Sequence, residues 1–96
     1  MQVFEGDLLV GGARIRHLHG ELQDQQPQSG SAEWVLTGQL HLTVEQSQLL
    51  ETDRPYRLQL ADGRAGQVVV RRIAANANPN ELLAEFLPKQ RGEGSR

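Results

Sequence analysis

Apolar and polar residues alternate along most of this chain with a period of two, the pattern of strands that bury one face. The alternation is cleanest in EWVLTGQLHLTV. There Trp34, Leu36, Leu40, Leu42 and Val44 share one face, and Thr37, Gln39, His41 and Thr43 the other. Gly38 falls on the apolar face, where a ring or a bend can take up the missing side chain. In YRLQLADGRAGQVVV, Tyr56, Leu58 and Leu60 belong on one face with Gly66, Val68 and Val70. These positions are all even, so each cross-strand pair has an even sum and the connection holds an odd number of residues. A three-residue connection or a bulge is predicted, with Gly63 at positive φ.

VFEGDLLVGGARIRHLHGEL reads as a hairpin around a two-residue Gly11-Gly12 turn. That register sets Val10 against Ala13, Leu8 against Ile15, Gly6 against His17 and Phe4 against His19, with Asp7 across from Arg16. Ile15, His17 and His19 then share the face of Phe4 and Leu8. VEQSQLLET loses the period of two. Thr43 as N-cap with Gln46 three residues on predicts a turn or two of helix, ended by Asp53-Arg54-Pro55. The polar run QDQQPQSGSA, residues 23–32, reads as a mobile loop. NANPNELLAEFLP admits two readings: a helix started by Asn78 and Pro79, or a strand returning against VVVRRI. The few residues available before Pro88 favour the strand.

Together these segments predict an all-β fold with minor α content: a small antiparallel β-barrel or open sandwich of five to six strands with one short helix. Residues 1–88 form a single small β domain, and 89–96, with no apolar side chain, a disordered C-terminal tail. A chain of 96 residues leaves no room for a second domain. A net charge of −2 argues against nonspecific nucleic-acid binding, which depends on neutralising phosphates. The absence of cysteine removes disulfides, thiolate chemistry and Cys-ligated zinc, and fits a cytoplasmic protein. The opening MQVFEGDLLV carries acids where a signal peptide needs basic residues, and no stretch approaches the roughly 20 apolar residues of a membrane span.

The candidate chemistry is sparse. His17, His19 and His41 have a spacing that metal sites use, but no carboxylate is obviously supplied as a fourth ligand. Their expected role is packing at the edge of the core, with no metal and no cofactor. Arg14, Arg16 and Arg71 suggest a basic groove for single-stranded nucleic acid. The aromatic residues Phe4, Trp34, Tyr56 and Phe86, however, have the parity of core positions and supply no stacking platform. Ser29, Ser31 and Ser47 have no neighbouring base, and neither a nucleophile elbow nor a phosphate-binding glycine loop occurs. No catalytic residue is expected, and the protein does not read as an enzyme. Leu9, Leu18, Val35 and Val69 break the polar side of their strands. Leu9, Val35 and Val69 are accordingly the expected contacts for a protein partner or another subunit. The sequence thus points to a non-catalytic module for protein–protein interaction or assembly, able to self-associate. The alternative is a nucleic-acid-binding barrel using the arginines.

Overall fold

The computed structural model describes residues 2–30, 32–75, 77 and 80–89. It is a closed six-stranded antiparallel barrel in the order β1-β2-β3-β6-β5-β4. The strands are β1 (Gln2–Val10), β2 (Ala13–Pro27), β3 (Trp34–Thr43), β4 (Pro55–Leu60), β5 (Ala65–Ala75) and β6 (Glu81–Pro88). The one helix, α1 (Val44–Ser47), follows β3. The chain therefore forms two three-stranded meanders, β1-β2-β3 and β4-β5-β6, joined through α1. Ladders between β1 and β4 and between β3 and β6 weld the meanders into a barrel.

The interior is apolar, and among the described residues no polar or charged side chain is fully buried. Leu8, Leu36, Leu40, Leu58, Val68, Val70 and Phe86 fill its centre, with the Phe4 and Phe86 rings edge to face at 6.3 Å. Such a pair is favoured because the positive ring edge meets the negative face. Leu50 plugs the barrel beside α1, and the segment after it is pinned where the Glu51 N–H donates to the Tyr56 hydroxyl at 2.8 Å. The capping box at Thr43 forms as expected: the Gln46 N–H donates to Thr43 Oγ1, and the Thr43 N–H to Gln46 Oε1. Val44 departs from the β3 face to become the first residue of α1 and is exposed.

The 56–70 hairpin has the expected register, Tyr56 opposite Val68 and Leu58 opposite Gly66. The Leu60 N–H donates to the Arg64 carbonyl at 2.7 Å, which leaves a three-residue connection with Gly63 at φ 101°. The 81–88 segment is a strand, antiparallel to both β3 and β5.

The first hairpin differs from its expected register. The Gly11-Gly12 turn pairs Val10 with Ala13 and Leu8 with Ile15, but a bulge then shifts the ladder so that Gly6 meets Leu18 and Phe4 meets Gly20. His17 lies in this bulge at φ 59°, and its backbone N–H donates to Asp7 Oδ1. The extra residue reverses the side chains that follow it, up to the next bulge at Gln23. Leu18 and Leu22 turn into the core, while His17 and His19 point to solvent. Asp7 consequently pairs with Arg14, not Arg16, at 3.3 Å.

The expected loop over residues 23–32 is also much shorter. Past a second bulge at Gln23, β2 continues against β3, with Asp24 opposite Thr37, Gln25 opposite Leu36 and Pro27 opposite Trp34. Only residues 28–33 connect the two strands. Backbone hydrogen bonds hold this polar extension, and they need no apolar side chains. Of the predicted tail, Lys89 instead continues the sheet by donating its N–H to the Gln67 carbonyl, and the remainder lies outside the described residues.

Closure brings backbone against backbone. A Cβ placed on Gly38 would lie 2.1 Å from the Glu21 carbonyl oxygen, and one on Gly20 would lie 2.2 Å from that of Gln39. The space at Gly38 is thus taken by a neighbouring strand, not by a ring. Around Gly63 there is open space, so a side chain there meets only the strain of its positive φ. We therefore expect Gly38→Ala to cost about 3 kcal/mol or more in urea unfolding, and Gly63→Ala about 1–2 kcal/mol. The reverse order would show that the strands part easily at Gly38.

Candidate functional site

The most organised polar cluster on the described surface is centred on His41, which projects outward from β3 between β2 and β6. His19 on β2 is its direct cross-strand partner, and Leu83 on β6 its partner on the other side. His41 Nδ1 lies 2.8 Å from Glu81 Oε2, and Nε2 lies 2.9 Å from Glu21 Oε2. Gln39, two residues back on the same face, donates to Glu21 Oε1 at 2.8 Å. One imidazole thus ties three strands together. A groove of about 420 Å³ opens over it, lined by His17, His19, Thr43, Gln46 and Glu81.

Both ring nitrogens face a carboxylate, and a neutral imidazole carries only one N–H, so this arrangement calls for the protonated ring. The electrostatics agree. Partial burial pulls the His41 pKa down, but the hydrogen bonds and charges of Glu21 and Glu81 outweigh it and hold the pKa above the usual histidine range. Burial likewise pushes Glu21 up, and the hydrogen bonds from Gln39 and His41 overcome it, leaving the carboxyl below the usual range. Sequence pattern supplied no carboxylate as a fourth ligand; the fold brings Glu21 and Glu81 to His41, where both hydrogen-bond the ring. The edge-of-core role fails for His17 and His19, which are exposed. Among the described residues no group of three or more side chains is placed to hold a metal ion.

The arginines do not converge. Arg14 and Arg16 lie on β2 and Arg71 on β5, three strands apart in either direction around the barrel. Arg71 sits at a third bulge, and Arg14 is held by Asp7. No groove among the described residues unites them.

Leu9, Val35 and Val69 are each partly exposed on the outer surface. Val69 stands between Pro55 of β4 and Leu87 of β6 in one continuous cross-strand row. Leu9 on β1 and Val35 on β3 each lie two strands from Val69, on opposite sides. Leu87 is 38% exposed and was not singled out by sequence, because its segment was read as strand or helix and only a strand turns it outward. Flanking this row are the ion pairs Arg72–Glu85 at 2.9 Å and Arg57–Glu33 at 3.0 Å.

Comparison with protein-family models, curated proteins and solved structures gives no match. No helix among the described residues is long and apolar enough to cross a membrane.

The His41 cluster makes stability depend on pH. Because its folded pKa is raised, the contribution of His41 is complete below the unfolded value of about 6.5 and is lost as pH rises through the folded value. Glu21, with a lowered folded pKa, contributes above its unfolded value of about 4.3 and loses this as pH falls. Wild type should exceed His41→Gln by about 0.5–1 kcal/mol between those two limits, with the gap closing toward alkaline pH. Urea unfolding across that range measures it, and a gap independent of pH would mean that His41 is not protonated in the fold.

Proposed function

We propose that this protein is a non-catalytic β-barrel module that works by binding protein, and that its first partner is a second copy of itself. The observation that carries this reading is the outward row Pro55–Val69–Leu87, apolar across three adjacent strands and centred on β5. A closed barrel leaves no long strand edge for β-addition, so association has to occur through a face. The Arg72–Glu85 and Arg57–Glu33 pairs give the margins of this face both signs of charge. A two-fold contact can then set the arginine of one copy beside the glutamate of the other. The molecule measures 41 × 30 × 26 Å, large enough for a face to bury the roughly 500 Å² per partner of a specific contact. Leu9 and Val35 fall at the two flanks of such an interface.

The absence of catalysis is part of the proposal. The one imidazole held in a network has both nitrogens engaged by carboxylates, which leaves it no free lone pair to act as a base. A cytosolic setting is proposed as well, on the lack of cysteine.

Sedimentation equilibrium over a range of concentrations tests the reading. Wild type should show a reversible dimer. Val69→Glu and Leu87→Glu should shift it to monomer while the β-sheet circular dichroism is kept, and Leu9→Glu or Val35→Glu should weaken it less. A wild-type monomer at all concentrations would overturn self-association.

A further inference from the structure

We propose that the two copies of the self-associated protein are related by a two-fold axis running along the row Pro55–Val69–Leu87, across the strands, so that each of these residues meets its own counterpart. This axis rests on the self-association proposed above and fixes how the two faces are turned. The charges on the rows to either side of the apolar one select it. On one side stand Arg57, its cross-strand partner Gln67, and Lys89, whose N–H donates to the Gln67 carbonyl at 2.9 Å. On the other stand Arg72, its partner Glu85 and, at the β4 margin, Asp53, whose N–H donates to the Val70 carbonyl at 2.9 Å. Asp53, Gln67, Arg72 and Lys89 are exposed, and Arg57 and Glu85 partly so.

Two identical sheets packed face to face are related by an axis lying in their common plane, and its direction decides which rows meet. With the axis along the apolar row, every strand lies over its own counterpart, reversed in direction, and the flanking rows exchange places. Lys89 then meets Glu85 of the other copy, and Arg57 meets Asp53. Gln67 meets Arg72, whose guanidinium can donate to the amide oxygen. Each of these contacts occurs twice in the dimer.

The other directions do worse. With the axis along the strands, β4 lies over β6 of the other copy. Arg57 then meets Lys89, Glu85 meets Asp53 and Arg72 meets Arg72, so every charged contact is between like signs. A diagonal axis sets Arg57 beside Glu85 but crosses the two apolar rows at a right angle, leaving Pro55 over Arg72 and Leu87 over Gln67. Only the axis along the row stacks apolar on apolar throughout, with opposite charges beside it. Barrel strands are inclined to the barrel axis, so a row across them climbs as it turns and curves less than a hoop.

Charge reversal and cross-linking on the intact chain test the axis. Lys89→Glu and Glu85→Lys should each raise the dissociation constant of the dimer about tenfold, since two rim ion pairs become repulsive. Mixing the two variants should restore association as a heterodimer, in which both contacts regain opposite signs. Added salt should weaken the wild-type dimer. The chain has no cysteine, so single cysteines report the geometry directly. A short bis-maleimide should join two copies of Leu87→Cys, and should not link Pro55→Cys to Leu87→Cys in a mixture. A wild-type monomer at all concentrations would remove the self-association on which the axis rests. A dimer that Val69→Glu breaks, but that Lys89→Glu tightens or in which Pro55→Cys links to Leu87→Cys, would overturn the axis alone.

Discussion

The barrel depends on how closely its strands approach one another. Closing so few strands around a core demands strong coiling, and neighbouring backbones are driven together on the inner surface. At Gly20 and Gly38 the contact is reciprocal, each lying under the carbonyl beside the other. Gly6 beneath Gln59 and Gly66 beneath Trp34 repeat it elsewhere, so close approach recurs within the first meander and where it meets the second. The bulges at His17, Gln23 and Arg71 complement the glycines by adding local twist. With the interior this tight, the core needs little bulk. Leu dominates it, with Val68, Val70, Tyr56 and the edge-to-face pair Phe4–Phe86.

Chemistry is displaced to the outside by the same constraint. A core with no room for polar groups leaves the outward positions of β2, β3 and β6 to carry the charged network, and cross-strand spacing decides who meets whom. His41 reaches both carboxylates because β3 is flanked by β2 on one side and by β6, from the far end of the chain, on the other. The outer face of β4, β5 and β6 has a different character. There Val69 and Leu87 stand in one row, and the ion pairs lie to either side of it.

What the sequence disclosed follows from the range of each interaction. The 56–70 hairpin was legible because parity and a turn glycine lie within a few residues of each other, and the capping box at Thr43 for the same reason. The register beyond Leu8 was not. The bulge at His17 is stabilised by the Asp7 side chain from the opposite strand, and alternation alone keeps counting through it. Gln23–Pro27 escaped notice because a strand held by backbone and polar side-chain hydrogen bonds has no apolar signature. Glu21 could not be joined to His41 from sequence because the bulge at His17 reverses its face, nor Glu81 because the β3–β6 pairing skips two strands and its register is set only by closure. The outward placement of Val69 was legible from its break in the pattern, whereas its neighbour Leu87 lies in a segment that the sequence left between strand and helix.

The two ladders that weld the meanders also govern how the chain reaches its fold. Pairs such as Gly6–Leu60 and Gly38–Phe86 join residues about half the chain apart, whereas the hairpin pairings within each meander are local. Loop entropy has to be surrendered before those distant pairs repay it, which places this protein among the slow folders of its size. Each meander in isolation exposes two unpaired edges and one face of its core. Neither half buries its core alone, so pairing of the two incomplete sheets is the step expected to limit folding. Substitutions along β1–β4 or β3–β6 act first on the folding rate, and those at the hairpin tips chiefly on unfolding.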